Sequence, residues 1–305
     1  VKKFREIMAS EKFDLVLITD GPFYTLPLCE ISKKEYNTNC IIDFRDLWIF
    51  DVRNLNAFLK PKNLLKKACF YTIEYKAIKY AEKVVTVTDG WGNTLKKIYP
   101  KYKNKIEVVY NGFDREYLET QSLDKFRNNE IPVIDENYNI MVFGKLAYYS
   151  KRYASIFLKA VKELSKKNKD IKIIQIGTHE ELTADLIKKL NLPDIYLNTG
   201  FLNYGEGISI LEKSSVNVII DIRKNAIGTK VYDYVYINKP IIYVGKRNTY
   251  LSKFVTSFKY GFSCSNEEEI KKTINYLLEN NINELTITVG IFQYESAGMQ
   301  KNLKL

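Results

Sequence analysis

Short β-branched runs alternate with amphipathic helical periods along almost the whole chain, and this alternation restricts the fold more than any other feature. The runs fall at 14–18, 40–43, 83–88 and 106–110, then at 139–143, 171–176, 216–220 and 241–244. Several are continuously apolar, as parallel strands buried on both faces must be. Between them, Leu64, Leu65, Ala68, Thr72, Tyr75 and Ile78 share one face of a helix expected to start after Pro61. Ile156, Phe157, Ala160, Val161 and Leu164 share a face of another. A βαβα order of this kind predicts an α/β fold of doubly wound parallel sheets. The polar stretch 114–137, with Pro132, interrupts the pattern and sets an expected boundary. The first domain is then 1–131 and the second 132–288, with 289–305 a C-terminal segment returning toward the first. Ligands of open parallel sheets sit beyond the carboxyl ends of the strands, so a cleft between two such domains is the expected site.

A chain of 305 residues, 46% hydrophobic and 27% charged, has enough apolar mass for two cores and is not that of a disordered protein. No apolar run reaches the ~18–20 residues that span a bilayer. Residues 1–6 lead into an amphipathic helix rather than a signal-peptide core. The four cysteines lack C-x-x-C spacing, and Cys40 and Cys69, in apolar stretches, read as small buried hydrophobes. Neither a disulfide framework nor a zinc site is supported, and the reducing cytoplasm is the expected location. The single histidine, His179, rules out histidine-pair metal chemistry and reads as a structural residue of a βα turn. Net charge is +11, carried by lysine runs at 60–67, 101–105 and 166–172. Such a surface favours anionic partners. No groove-reading motif accompanies it, so nucleic acid is not an expected partner.

The segment from Ala226 to Tyr234, closed by Asn238-Lys239-Pro240, carries the most chemistry. It reads as a glycine turn, a helix of barely two turns and a strand. A helix start at Gly228 and Thr229 offers backbone N–H groups, and Lys230 adds a cation on the first turn, a combination that suits phosphate. Asp233, one turn on, is placed to accept hydrogen bonds from ribose hydroxyls. Taken alone, the residues are balanced between a nucleotide-sugar site and a buried αβ unit whose Lys230 and Asp233 are merely solvated.

Several stretches in order resemble family 4 retaining glycosyltransferases of the GT-B architecture. Ile42 to Trp48 is similar to the family's D-x-R-D-x-W strand end, and Glu74 on a helix precedes Ala81 to Thr88, similar to its helix-to-strand passage. Lys105 to Asp114 matches the N-G-x-D close of the first domain. Phe143-Gly144-Lys145-Leu146, with Arg152 beyond, resembles the phosphate-gripping loop, and Thr199 to Tyr204 the loop that reads the base. Gly228 to Asp233 takes the place of the E-x7-E donor motif, with Asp233 at its last Glu and Asn225 at its first. A G-T-K-x-x-D/E-Y version occurs in some branches of the family. Full members open with a strand and a glycine-rich loop ahead of the segment that begins here, so the N-terminal domain is expected to be incomplete.

The resemblance implies two Rossmann-like domains facing a cleft, and transfer of a sugar, with retention, from a nucleotide-diphosphate sugar. It implies Gly144, Phe201, Leu202, Gly228, Thr229, Lys230 and Asp233 as donor-binding residues. Lys145, Arg152 and Lys230 would stabilise the departing diphosphate without a metal or other cofactor, there being no D-x-D motif. Asp43, Arg45 and Asp46 are acceptor-side candidates. Asp43 and Asp46 also admit a two-carboxylate glycosidase reading, and Asp46 a turn cap paired with Arg45. UDP is the expected base ahead of GDP, and the acceptor a glycan, a lipid-linked glycan or a protein. The positive balance, with 23 Tyr and 16 Phe, would suit a peripheral enzyme at an anionic inner membrane face. The alternative is an inactive donor-binding module that partners another transferase. Oligomeric state is not legible.

Overall fold

The computed structural model describes residues 1–19, 21, 23–48, 64–120, 134 and 137–285. The chain forms two compact units, Val1–Tyr110 and Asn111–Leu305. Pro61, the expected boundary at 131/132 and the segment 289–305 lie outside the described residues.

The first unit runs α1 (Lys2–Ser10), β1 (Leu15–Thr19), α2 (Pro27–Tyr36), β2 (Asn39–Phe44), α3 (Leu64–Tyr80), β3 (Lys83–Thr86), α4 (Asp89–Ile98) and β4 (Ile106–Val108). Its sheet has the order β1-β2-β3-β4, all parallel. The register aligns Ile18, Ile42, Val84 and Ile106 in one row across it. That row packs with Leu26, Cys29, Ala77, Ile78 and Leu95 from the helices. β3 leads into α4, which Thr88 caps by accepting from the Trp91 amide at 3.2 Å.

Two expectations for α3 are corrected. Its buried residues are Glu74, Ala77 and Ile78, whereas Leu65 is 87% exposed and Ala68 and Thr72 face solvent. Cys69 is likewise exposed, unlike Cys29, Cys40 and Cys264. Ile78, on the expected face, is buried, and the difference is one of extent. The helix buries only its C-terminal half, so apolar residues in its first turns carry no information about the inward face.

The second unit runs α5 (Arg115–Thr120), β5 (Tyr138–Phe143), α6 (Lys151–Ser165), β6 (Ile171–Ile176), α7 (Glu181–Leu190), β7 (Tyr196–Asn198), α8 (Tyr204–Leu211), β8 (Val216–Asp221), α9 (Lys230–Ile237), β9 (Ile241–Gly245), α10 (Tyr250–Thr256), β10 (Gly261–Cys264) and α11 (Glu267–Glu279). The parallel order is β10-β9-β8-β5-β6-β7, so the winding reverses between β5 and β8. Side-chain alternation divides the apolar residues between two faces. Ile140, Val142, Val218 and Val244 pack with Phe157, Val161, Ile270 and Ile274 on one side. Met141, Ile174, Ile241 and Tyr243 pack with Ile208, Val231, Tyr234 and Val255 on the other. Phe113 and Leu118, read from sequence as the close of the first domain, join this second core. Among the described residues no helix is long and apolar enough to cross a membrane.

Candidate functional site

The carboxyl ends of β5, β6 and β7 each turn on a glycine in the left-handed region: Gly144 at φ +100, Gly177 at φ +146 and Gly200 at φ +76. They also approach one another. A Cβ on Gly177 would stand 3.2 Å from the Gly144 Cα, and Gly177 bridges Gly200 across the rim. Backbone rather than side chain therefore lines this edge of the sheet, beside the β5/β8 reversal where parallel sheets open a crevice.

The β5–α6 loop leaves Gly144 with Lys145 pointing to solvent, its Nζ donating to Thr178 Oγ1 at 2.9 Å. A buried carboxylate holds the loop from below. Glu180 Oε2 accepts from the Leu146 amide at 2.6 Å, from Gln175 Nε2 at 2.8 Å and from Thr183 Oγ1 at 3.2 Å. Gln175 Nε2 also donates to the Gly144 carbonyl at 2.9 Å, and Tyr196 donates to Gln175 Oε1 at 2.6 Å. Ser150 then caps α6, accepting from the Tyr153 amide, and sets Arg152 exposed on its first turn. His179 is exposed at the β6–α7 turn.

Across the reversal, α9 begins at Lys230. The Val231 and Tyr232 amides donate back to the Gly228 and Thr229 carbonyls at 3.3 and 3.0 Å. The amides of Gly228 and Thr229 themselves precede the first helical acceptors, as at any helix start. Lys230 Nζ lies 3.9 Å from the Phe143 ring centroid, 5.6 Å from that of Tyr204 and 3.9 Å from Asp233 Oδ2. Asp233 is only 7% exposed and accepts from the Tyr204 hydroxyl at 2.6 Å. Burial pushes its carboxyl above the ordinary range, opposed by the Tyr204 bond and the Lys230 charge. Burial, together with the Asp233 charge, raises the Tyr204 phenol. Tyr234, from the same helix, accepts from the Phe143 amide at 2.7 Å and donates to the Val218 carbonyl at 3.0 Å, tying α9 to both strands of the reversal. The β7–α8 loop carries Phe201, 77% exposed, and Leu202 into a capping box made by Asn203 and Glu206.

Gly144, Lys145, Phe201, Leu202, Gly228, Thr229, Lys230 and Asp233 thus all lie on the loops and helix start at the carboxyl edge of one sheet, with Arg152 on the first turn beyond. The sequence reading missed three contributors: Glu180 with Gln175, Tyr204 as the partner of Asp233, and the pair Asp221–Arg223. The last had a signal, since Asp221-Ile222-Arg223 repeats the D-x-R spacing noted at Asp43 to Arg45.

In the first unit, Asp43, next to last in β2, is almost buried, and Arg45 Nε donates to its Oδ2 at 2.6 Å. Arg45 thus forms an ion pair with Asp43 inside this turn. Asp46 is exposed just beyond. On α3, buried Glu74 accepts from Tyr99 at 2.6 Å, and burial pushes its carboxyl up to about 7. Among the described residues no cluster of three or more His, Cys, Asp or Glu is arranged to hold a metal.

The family described as glycosyl transferases group 1 matches residues 124–288, more than half of the chain and the whole of this rim. The chain belongs to that family. A search of curated proteins gives no match. Among solved structures, a glycosyltransferase from Rickettsia africae ESF-5 is 16% identical with a TM-score of 0.66, covering 99% of this chain and 78% of its own. Sucrose-phosphate synthase from Thermosynechococcus elongatus is 10% identical with a TM-score of 0.62, covering 98% and 71%. Anabaena HepE in complex with UDP and glucose is 14% identical with a TM-score of 0.59, covering 91% and 71%. These likenesses establish the GT-B glycosyltransferase fold, and the family match makes the chain a glycosyltransferase.

Proposed function

We propose that this group 1 glycosyltransferase moves a sugar, with retention and without a metal, from a nucleoside-diphosphate sugar to a glycan, lipid-linked or protein acceptor. The observation that carries the reading is the convergence of Lys230 and the Gly228–Thr229 helix start with the Tyr204–Asp233 pair, beside a glycine-lined strand edge. Lys230 and the helix-start amides take the diphosphate, and Asp233 takes the ribose hydroxyls. The loop at Phe201 and Leu202 meets the base, and Gly144 admits the donor's backbone-close approach. Lys145 and Arg152 add positive charge where the leaving group gathers negative charge, so their interaction strengthens toward the transition state. With the leaving phosphate itself guiding the incoming hydroxyl, retention needs no protein nucleophile. UDP is the favoured nucleotide, since HepE was crystallised with UDP and with UDP-glucose and Staphylococcus aureus MnaA with UDP.

Asp43, Arg45 and Asp46 are the proposed acceptor-side groups. The net charge of +11 favours an acceptor presented at an anionic membrane face. Vesicle binding that requires anionic lipid and weakens with salt supports this, and indifference to lipid charge removes it.

Calorimetric titration of the chain with UDP and GDP, with Lys230→Ala as control, tests the donor site. Micromolar UDP binding that is lost in the variant is the expected result. Equal UDP affinity in both proteins rejects the site.

A further inference from the structure

At the end of β8, the Arg223 side chain folds back onto Asp221. Its Nε reaches both carboxylate oxygens at 3.1 and 3.0 Å, its Nη2 reaches Oδ2 at 2.6 Å, and its own amide donates to Oδ1 at 2.9 Å. The pair is enclosed, with Arg223 14% and Asp221 3% exposed along their side chains. The strand end beneath it is fixed as well. Tyr243 donates to the Asp221 carbonyl at 2.7 Å, and Gly245 lies so close that a Cβ there would stand 2.2 Å from the same oxygen. Bonds at three nitrogens of Arg223 fix the orientation of the guanidinium plane.

That plane meets the Tyr149 ring, with the guanidinium carbon 4.3 Å from the ring centroid. Tyr149 belongs to the loop between β5 and α6, one residue ahead of the cap that starts α6 and three ahead of Arg152. On its other side, Arg223 Nη2 stands 3.5 Å from where a Gly228 Cβ would be, so the guanidinium lies against the turn that leads to Lys230. One side chain, two residues past the end of β8, therefore touches both loops that carry the cations of the donor rim, across the point where the winding reverses.

We propose that Arg223 is a positioning residue for the diphosphate: with Asp221 behind it and Tyr149 stacked on it, it sets the spacing between Lys145 and Arg152 on one loop and Lys230 on the other. This rests on the donor-site reading above. A phosphate contact is charge-assisted and steep in distance, so loosening one loop against the other by about 1 Å is enough to lose much of it. The base and ribose are held elsewhere, by the Phe201 loop and Asp233, and do not depend on the clamp.

The test compares UDP with uridine, because their affinity ratio isolates the diphosphate contribution. Wild type, Arg223→Ala, Arg223→Lys, Tyr149→Ala and the double alanine variant are titrated calorimetrically with both ligands, with melting temperatures recorded alongside. Tyr149 is half-buried in a surface loop, so its variant reports on the clamp even where Arg223→Ala fails to fold. The expected result is that Tyr149→Ala and Arg223→Ala each lower UDP affinity about tenfold while uridine affinity stays within about twofold. Lysine, which lacks the planar fork, should not rescue, and the double variant should be no worse than either single one. A wild-type chain that binds UDP no tighter than uridine overturns the donor-site reading and the clamp with it. A wild type that prefers UDP, alongside a Tyr149→Ala that keeps the full preference, overturns the clamp alone. So does an equal loss of UDP and uridine affinity, which would mark a general defect of fold.

Discussion

The Tyr204 hydroxyl donates to Asp233 Oδ1 at 2.6 Å, joining the start of α8 to the first turn of α9 across the rim. It stabilises a carboxylate that its surroundings disfavour. Burial raises the Asp233 carboxyl, and the Tyr204 bond and Lys230 bring it back down. Removing the hydroxyl with Tyr204→Phe should therefore raise the Asp233 pKa further. On the proposed reading, in which ribose hydroxyls bind the ionised form, UDP affinity should decline as pH falls, and should begin to decline at higher pH in the variant than in wild type. Titrations from about pH 5 to about pH 8 check this. Superimposable profiles for the two proteins would separate Asp233 from nucleotide binding.

Lys230 is held over the Phe143 ring, with its Nζ 3.9 Å from the centroid. The aromatic face gives the ammonium a defined position without neutralising it, which leaves its charge available to phosphate. Lys230→Ala should weaken UDP binding about tenfold or more, the equivalent of a charge-assisted contact of about 1.5–3 kcal/mol. It should leave the melting temperature nearly unchanged, because Lys230 is partly exposed and its partner Asp233 keeps the Tyr204 bond. Binding and thermal melts on one preparation separate the two effects.

Glu180 is the opposite case, a group whose value is architectural. One of its oxygens serves the Leu146 amide, Gln175 and Thr183 together. Glu180→Ala would leave three buried donors without that acceptor and should cost about 2–4 kcal/mol of stability. UDP affinity should fall with it, since the Gly144–Lys145 turn loses its support. Glu180→Gln keeps an acceptor oxygen and should recover part of both. A Glu180→Ala protein that melts with wild type would show that solvent replaces the network.

The alternation of apolar runs and helical periods was enough to name eight of the strands within a residue or two, because parallel strands buried on two faces leave continuous hydrophobic signatures. The two it missed, Tyr196–Asn198 and Gly261–Cys264, are sheet edges of three and four residues, half-buried and without such a run. The Gly228 to Asp233 segment could be singled out as a candidate phosphate site because its features are local, a helix start and a cation within three residues. Tyr204, Glu180 and the Tyr149 face on Arg223 were not, since each partner lies 29, 34 and 74 positions away and only the folded sheet brings them together. The α3 face failed for a related reason. Periodicity identifies a helix, but the neighbour it packs on decides which residues turn inward, and here Glu74 does so while Leu65 does not.

That inward turn of Glu74 makes a prediction about pH. The carboxyl is 2% exposed, accepts one hydrogen bond from Tyr99 and sits beside the rings of Tyr71 and Tyr75 that pack on Tyr99. Burial lifts it from an ordinary 4.5 to about 7, the Tyr99 bond only partly opposing. The folded state therefore holds a proton that the unfolded state releases between those two values. Stability from this group is complete below the unfolded value of 4.5 and is lost as pH rises through about 7. At about 1.4 kcal/mol per pH unit, the loss across the window is about 3 kcal/mol. Thermal melts of wild type should fall between about pH 5 and about pH 8, and Glu74→Gln, which cannot ionise, should fall by clearly less over the same range. A wild-type melting temperature that rises with pH there would mean that Glu74 is charged in the fold and that Tyr99 has outweighed burial.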